Sequence, residues 1–222
     1  LVELMQDHRM KGLLKIAVLA AMLLGLPLAG VLVAQVPLSR YFEFPPRTLY
    51  IEHAPFSWIA FISYSLFIIA AVSPFLLHAR RNRSQVPINT RLANRFPWWG
   101  WCGVLLGVVS WILAWNRFPW FSKWQAHTFT TLWIAYILTL NGLTYRQTGT
   151  CMLLRQPLAF LALFPASAGF WWFFEYLNRF VQNWSYTGVD FGPGEYFLYA
   201  TLSFSTVLPA ITGTREWLLS FS

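Results

Sequence analysis

Charged residues are scarce in this sequence. Asp, Glu, Lys and Arg make up 11% of the 222 residues, whereas 57% are hydrophobic and the mean hydropathy is +0.48. Soluble domains carry about 25% charged residues. Sixteen basic and eight acidic side chains cannot cover the surface of a soluble globule this apolar. The composition therefore excludes an ordinary soluble domain and predicts an all-α, polytopic integral membrane protein.

Several functional signatures are also missing. The two cysteines, Cys102 and Cys151, form neither CxxC nor CxxCH, and we expect no structural disulfide between them. There is no Walker loop, no GxGxxG, no Ser-His-Asp pattern and no nucleic-acid module. The net charge of +8 sits in short loops between apolar runs, which is an orientation signal rather than a nucleic-acid surface. We predict no cofactor and no nucleic-acid partner.

Six apolar segments are long enough, or nearly so, to span a membrane. They lie at about 13–36, 56–78, 98–116, 126–145, 157–178 and 194–212. The loops between them are short, which favours an antiparallel bundle of about six transmembrane helices. We treat residues 1–222 as a single transmembrane domain, and a longer chain with further spans stays open as an alternative.

The basic residues predict the orientation. With the N-terminus inside, eleven fall in inside segments: Arg9, Lys11, Lys15, Arg80, Arg81, Arg83, Arg91, Arg95, Arg146, Arg155 and Arg215. Five fall outside: Arg40, Arg47, Arg117, Lys123 and Arg179. The positive-inside rule then predicts a multi-pass protein of the bacterial inner membrane with a cytoplasmic N-terminus.

A near-repeat marks the third span. NRFPWW at 94–99 and NRFPWF at 116–121 stand about one membrane thickness apart as helix, so each copy fits one interface, with Arg and Trp among the headgroups. Between them, Gly103 and Gly107 form a GxxxG match. This motif predicts a face that lets another helix approach closely.

Glu175 is the first candidate for chemistry, because a carboxylate inside an apolar, aromatic span is costly and usually faces a cavity or the bundle interior. Asn178 and Arg179 share its helix face. One interpretation is that Glu175 simply pairs with Arg179 and pins the helix. The other is a buried carboxyl group that exchanges a proton with a ligand and is oriented by Asn178.

The second candidate is Glu195, in GPGEYFLY at 192–199. Pro193 and an acidic first turn favour the start of a helix, which explains Glu195 without any chemistry. The alternative is that Glu195 joins Glu175 in an acid/base pair.

The stretch EYLNRFVQNWSYTGVDFGPGEYFLY, residues 175–199, resembles the carotenoid-cyclase domain of the heterodimeric lycopene cyclases. The matching positions are Glu175, Trp184 with Tyr186, Gly188, and Pro193 with Glu195, whereas Tyr196 replaces the second acid of the last motif. The resemblance implies a membrane-embedded enzyme that protonates a polyene and stabilises the carbocation on aromatic faces, with Glu175 and Glu195 as catalytic residues.

The histidines suggest another class of site. His53 and His127 are both predicted near the outer side and are weak candidates for metal or haem ligands, although no HExxH or HxH spacing accompanies them. The outer loop 39–58 contains Pro45-Pro46 and several aromatics, and we expect it either to cover the outer end of the bundle near Glu175 or to pack there without further role.

Two functions remain open from the sequence. The first is a membrane enzyme that uses carboxylates on a lipid or isoprenoid, with a hydrophobic small molecule as substrate. The second is a non-catalytic subunit or scaffold with a membrane-protein partner. Both predict membrane lipids as the surroundings.

Overall fold

The structure is a computed structural model that describes residues 2–52, 54–82, 94–186 and 190–221. All regular structure in these residues is helical, which confirms the all-α prediction. The helices are α1 (Val2–Val33), α2 (Ser39–Phe42), α3 (Trp58–Asn82), α4 (Trp98–Trp115), a 3-10 helix (Pro119–His127), α5 (Thr128–Thr148), α6 (Met152–Arg155), α7 (Pro157–Val181), α8 (Pro193–Ser205) and α9 (Val207–Leu219).

Five helical segments in the described part of the chain are long and apolar enough to cross a membrane. They are Gly12–Val33, Trp58–His78, Trp98–Trp115, Pro157–Val181 and Pro193–Leu219, and each coincides with a predicted span. Their large apolar side chains are mostly exposed, and no described residue of α3 is buried. Apolar surface of this extent is stable in lipid rather than in water. The fold is therefore that of a multi-pass helical membrane protein.

The sixth predicted span, 126–145, corresponds to α5, which has 21 residues but is not among these five. Six threonines and Asn141 lower its hydropathy. Hydroxyl and amide groups on α5 donate hydrogen bonds to carbonyls one turn earlier, from Thr139 to Ala135 O (2.8 Å) and from Asn141 to Ile137 O (2.9 Å). These bonds satisfy polar groups where water is absent, so α5 can be both polar and buried.

The chain divides into two compact units. One comprises Leu1–Glu52 with Phe170–Leu198, and the other comprises His53–Gly169 with Tyr199–Ser222. In the first, the Tyr176 hydroxyl donates a hydrogen bond to the carbonyl of Leu24 on α1. In the second, α5 packs on α4 and α9 around a core that contains Ile137, Phe160 and Ala210. Both cysteines belong to the second unit and are free, as predicted.

The glycines of α4 form the predicted close-contact face, and the partner is α5. A Cβ atom at Gly103 would lie 2.8 Å from Leu138 Cβ and 2.9 Å from the Thr139 backbone nitrogen. One turn later, a Cβ at Gly107 would lie 3.5 Å from Ala135 Cβ. Because later residues of α4 meet earlier residues of α5, this pair of helices is antiparallel.

The last span is two helices rather than one, with a break at Thr206. Pro209 has no N–H, so it cannot continue the helical hydrogen bonds of α8. Ser167 on α7 bridges the break: its hydroxyl donates to Phe204 O (2.5 Å) and accepts from Leu208 N–H (3.0 Å). Broken backbone is tolerated inside a membrane when a neighbouring helix satisfies it in this way.

Candidate functional site

Glu175 is buried near the end of α7, with 3% of its surface exposed. The helix ends at Val181, and Gln182 adopts a left-handed conformation (φ 48°) that turns the chain back along α7. Asn178 then holds the returning segment, because its side-chain amide donates to Trp184 O (2.9 Å). The sequence after the helix is thereby brought against the carboxylate.

Two aromatic side chains of the returning segment donate hydrogen bonds to the same oxygen of Glu175. The Trp184 indole N–H lies 2.9 Å from Oε1, and the Tyr186 hydroxyl lies 2.6 Å from it. The other oxygen, Oε2, accepts no hydrogen bond from the described residues. Glu175 therefore has one oxygen held by two donors and one oxygen without a donor among the described residues.

Burial of the Tyr186 hydroxyl, together with the neighbouring Glu175, raises the pKa of this tyrosine above its usual value. Tyr186 as a whole is 45% exposed, but its hydroxyl donates a hydrogen bond to the buried carboxylate. Tyr186 is thus held as a neutral hydrogen-bond donor at neutral pH.

Arg179 does not form the ion pair with Glu175 that was one of the two interpretations from the sequence. Its guanidinium donates to the backbone carbonyl of Glu43 and lies over the Phe44 ring, 5.8 Å from the ring centroid. The simple interpretation of Glu175 as one half of a helix-pinning salt bridge is therefore wrong for the described residues. Arg179 anchors the 43–51 segment instead.

A cavity of about 460 Å³ opens beside Glu175. Its lining is largely polar or aromatic: Pro45, Pro46, Arg47, Thr48, Leu49, Glu175, Asn178, Arg179, Gln182, Trp184, Ser185, Tyr186, Asp190, Phe191 and Tyr196. At the rim, Arg47 lies 3.3 Å from the Asp190 carboxylate. The cavity thus presents both signs of charge within one small volume.

The 45–49 segment forms one wall of this cavity, which agrees with the prediction that the 39–58 loop lies near Glu175. Gln182 fixes the segment: its side-chain oxygen accepts the N–H groups of Tyr50 (2.6 Å) and Ile51 (2.9 Å). Its amide also donates to Thr48 O (3.2 Å). One side chain at the end of α7 therefore determines where this wall stands.

Tyr196, at the position where the lycopene-cyclase motif has its second acid, also lines the cavity. The residue is 8% exposed, and its hydroxyl oxygen is enclosed without a hydrogen-bond partner among the described residues. A buried hydroxyl in this state costs free energy that a closed packing arrangement would normally avoid.

Glu195 does not reach the cavity. Its side chain is exposed, and Oε2 accepts the N–H of Gly192 (3.3 Å) just before α8 begins. This is the helix-start role that the sequence offered as the alternative. Of the predicted catalytic residues, the structure brings Glu175 and Asn178 together and leaves Glu195 apart.

The described residues contain no metal site of the kind suggested by the histidines. No group of three or more His, Cys, Asp or Glu side chains there is close enough to hold an ion. His127 packs on the Tyr199 ring, with centroids 4.0 Å apart. His53 lies outside the described residues, as does Gly188 of the cyclase-like motif.

Sequence reasoning did not identify Trp184 and Tyr186 as hydrogen-bond donors to Glu175, nor Gln182 as the residue that fixes the 45–51 segment. A W-x-Y triplet about ten residues after a buried acid was the available signal, but its meaning depends on the turn at Gln182.

Comparison with known proteins identifies no relative: no protein-family model, no curated protein and no solved structure matches this chain.

Proposed function

We propose that this multi-pass membrane protein binds the polar end of a lipid or isoprenoid in the Glu175 cavity, and that Glu175 acts on the bound molecule as an acid or base. The observation that carries the proposal is the asymmetric environment of the carboxylate. Oε1 is fixed by Trp184 and Tyr186, whereas Oε2 has no donor among the described residues, and Glu175 lines the cavity. A buried carboxylate with a purely structural role would be satisfied at both oxygens.

The lining indicates what kind of molecule fits. Two arginines, two acids, two amides and several aromatic rings suit a group that carries hydrogen-bonding atoms. The exposed apolar helices would be surrounded by lipid, and the apolar part of an amphiphile can remain in that lipid while its polar end enters the cavity. The cavity therefore favours a substrate with a polar end over a pure hydrocarbon.

The lycopene-cyclase resemblance suggests which chemistry Glu175 would perform on such a substrate, an isoprenoid that carries both a polar end and a double bond. Glu175 would transfer its proton to a substrate double bond, and the resulting carbocation would lose a neighbouring proton to the same carboxylate. The reaction is an isomerisation or cyclisation in which no electrons are gained or lost. The rings of Trp184 and Tyr186, which line the cavity, would stabilise the cation.

We further propose six spans, with α5 as the span that hydropathy alone does not select, in the inner membrane and with the N-terminus in the cytoplasm. The excess of arginine and lysine in the segments assigned to the inside supports this topology. Cysteine-accessibility labelling of single-cysteine variants at 40 and 146 would test it, since the two positions should be labelled from opposite sides.

A non-catalytic subunit is the second candidate, and the exposed face of α3 favours it. No described residue of this 25-residue helix is buried, which leaves its length open to a partner helix as well as to lipid. In this case Glu175 would organise the wall of the cavity without reacting.

The test is to express the full chain, Glu175→Gln and Glu195→Gln in a bacterial host and to compare the extracted lipids and isoprenoids. We expect wild type and Glu195→Gln to give the same altered profile and Glu175→Gln to lose it. The matched control is strong, because Glu195 is exposed and outside the cavity. Identical profiles in folded wild type and Glu175→Gln would eliminate the catalytic role and favour the subunit.

A further inference from the structure

A second polar cavity lies at one end of the α4–α5 pair, in the unit that does not contain Glu175. The backbone N–H of Asn94 donates to Arg146 O (3.1 Å), which ties the segment before α4 to the last turn of α5. A space of about 430 Å³ opens there, lined by Asn94, Arg95, Phe96, Trp101 and Arg146. Two arginines thus line one cavity together with an asparagine and two aromatic residues.

These arginines have no carboxylate partner in their unit. Residues 53–169 and 199–222 contain a single acidic residue, Glu216. Glu216 is already engaged, because Oε1 accepts from Arg155 (3.0 Å) and Oε2 accepts from Met152 N–H (2.8 Å). No carboxylate of this unit is therefore left to pair with Arg95 or Arg146.

The surrounding aromatics place the cavity at a membrane interface. Trp98 and Trp101 are 77% and 62% exposed, and Trp101 packs edge-on against Phe96 with centroids 5.3 Å apart. Tryptophans at the end of a span typically lie at headgroup depth. Gly149 ends α5 beside this cavity: it has φ 80°, and a Cβ there would come within 2.9 Å of the Asn94 amide.

We propose that Arg95 and Arg146 bind the phosphate of an anionic phospholipid headgroup. Guanidinium groups match phosphate geometry with paired hydrogen bonds, and basic pockets between transmembrane helices bind anionic headgroups. The Asn94 amide supplies a further donor, and the exposed tryptophans flank the acyl chains. This site is independent of the Glu175 cavity and of any activity there.

The test uses the purified full chain in detergent, titrated with phosphatidylglycerol, phosphatidylcholine or inorganic phosphate and read by native mass spectrometry. We expect phosphatidylglycerol to bind more tightly than phosphatidylcholine, and inorganic phosphate alone to bind weakly. Arg95→Gln and Arg146→Gln should each weaken phosphatidylglycerol binding about fivefold, and the double variant about 25-fold. Arg117→Gln, which removes the same charge just beyond the other end of α4, should have no effect.

Arg146→Lys keeps the charge and serves as the variant of choice if the double variant does not fold. It should retain preference for phosphatidylglycerol over phosphatidylcholine while losing part of the affinity. Equal binding of the two lipids by wild type, or unchanged phosphatidylglycerol binding in the folded double variant, would overturn the proposal. Inorganic phosphate binding as tightly as the lipid would overturn the assignment to a headgroup.

Discussion

The packing of α4 on α5 allows a prediction in which two similar substitutions have opposite effects. Replacing Gly103 by alanine adds a Cβ that would lie 2.8 Å from Leu138 Cβ and 2.9 Å from the Thr139 backbone nitrogen. Carbon atoms pack at about 3.5–4.0 Å, so the helices would have to separate locally by several tenths of an ångström. The backbone atom cannot move aside as a flexible side chain could.

The magnitude follows from two opposing contributions. Overpacking of a tight contact costs about 1–3 kcal/mol, and the better helix propensity of alanine returns about 0.8–1.0 kcal/mol. Gly103→Ala should therefore destabilise the protein by up to about 2 kcal/mol. Gly107→Ala meets only Ala135 Cβ at 3.5 Å, an ordinary contact, so the propensity gain should dominate and the variant should be as stable as wild type or more so.

The assay is thermal unfolding of both variants in the same detergent, followed by circular dichroism at 222 nm in the helical band. We expect the midpoint of Gly103→Ala to fall by a few degrees and that of Gly107→Ala to stay or rise. If both substitutions shift the midpoint in the same direction and by the same amount, the described α4–α5 contact is not the one that the protein forms.

Three further predictions concern hydrogen bonds of the two units. Tyr186→Phe removes the 2.6 Å donor to Glu175 and should destabilise the protein by about 1.5–3 kcal/mol at neutral pH. Folding raises the pKa of Tyr186 above the ordinary tyrosine value of 10, so the stability of the wild type should fall as the pH rises above 10. In a pH titration of the unfolding midpoint, Tyr186→Phe should show a smaller fall than the wild type. Ser167→Ala leaves the break before α9 unsatisfied and should cost about 1–3 kcal/mol, whereas Ser205→Ala, which loses only a local bond to Leu202 O, should cost less; equal losses would contradict the bridging role. Tyr196→Phe removes a hydroxyl without a partner and should leave stability unchanged or higher; a loss of more than about 1 kcal/mol would show that this hydroxyl is bonded in the protein.

Much of the helical architecture could be predicted because it depends on long apolar runs. Four predicted spans agree with helical segments to within three residues and the fifth, 194–212, lies inside the segment Pro193–Leu219, since lipid thickness and hydropathy are both visible in the sequence. The α5 helix was located correctly, but its composition resembles that of a buried soluble helix. Its polar side chains are stable away from water because two of its threonines and Asn141 donate hydrogen bonds to carbonyls one turn earlier in the same helix.

The break in the last span could not be predicted from local sequence. Pro209 signals a disturbance, but it is common for a helix to continue past such a residue with a bend. The two-helix arrangement depends on Ser167, more than 35 residues earlier in the chain, whose hydroxyl satisfies backbone groups on both sides of Thr206.

The site was predictable only in part for the same reason. The cost of a carboxylate in an apolar span identified Glu175, and its helix neighbours identified Asn178. Of the two interpretations of Glu175, the ion pair with Arg179 is not formed, because the Glu43 carbonyl from another segment accepts from Arg179 instead. The sequence left two roles open for Glu195, an acid/base partner of Glu175 or a residue that favours the start of a helix. The structure shows the second, because Glu195 accepts the N–H of Gly192 and lies outside the cavity.

The central claim is that Oε2 of Glu175 contacts a molecule that is not part of the protein. The most direct measurement is an experimental density map of the chain in a lipid nanodisc, resolved well enough to show the surroundings of Oε2. We predict elongated non-protein density that enters the cavity, with a polar end within hydrogen-bonding distance of that oxygen. A cavity filled by protein side chains, with Oε2 bonded to the Arg179 guanidinium, would contradict the account.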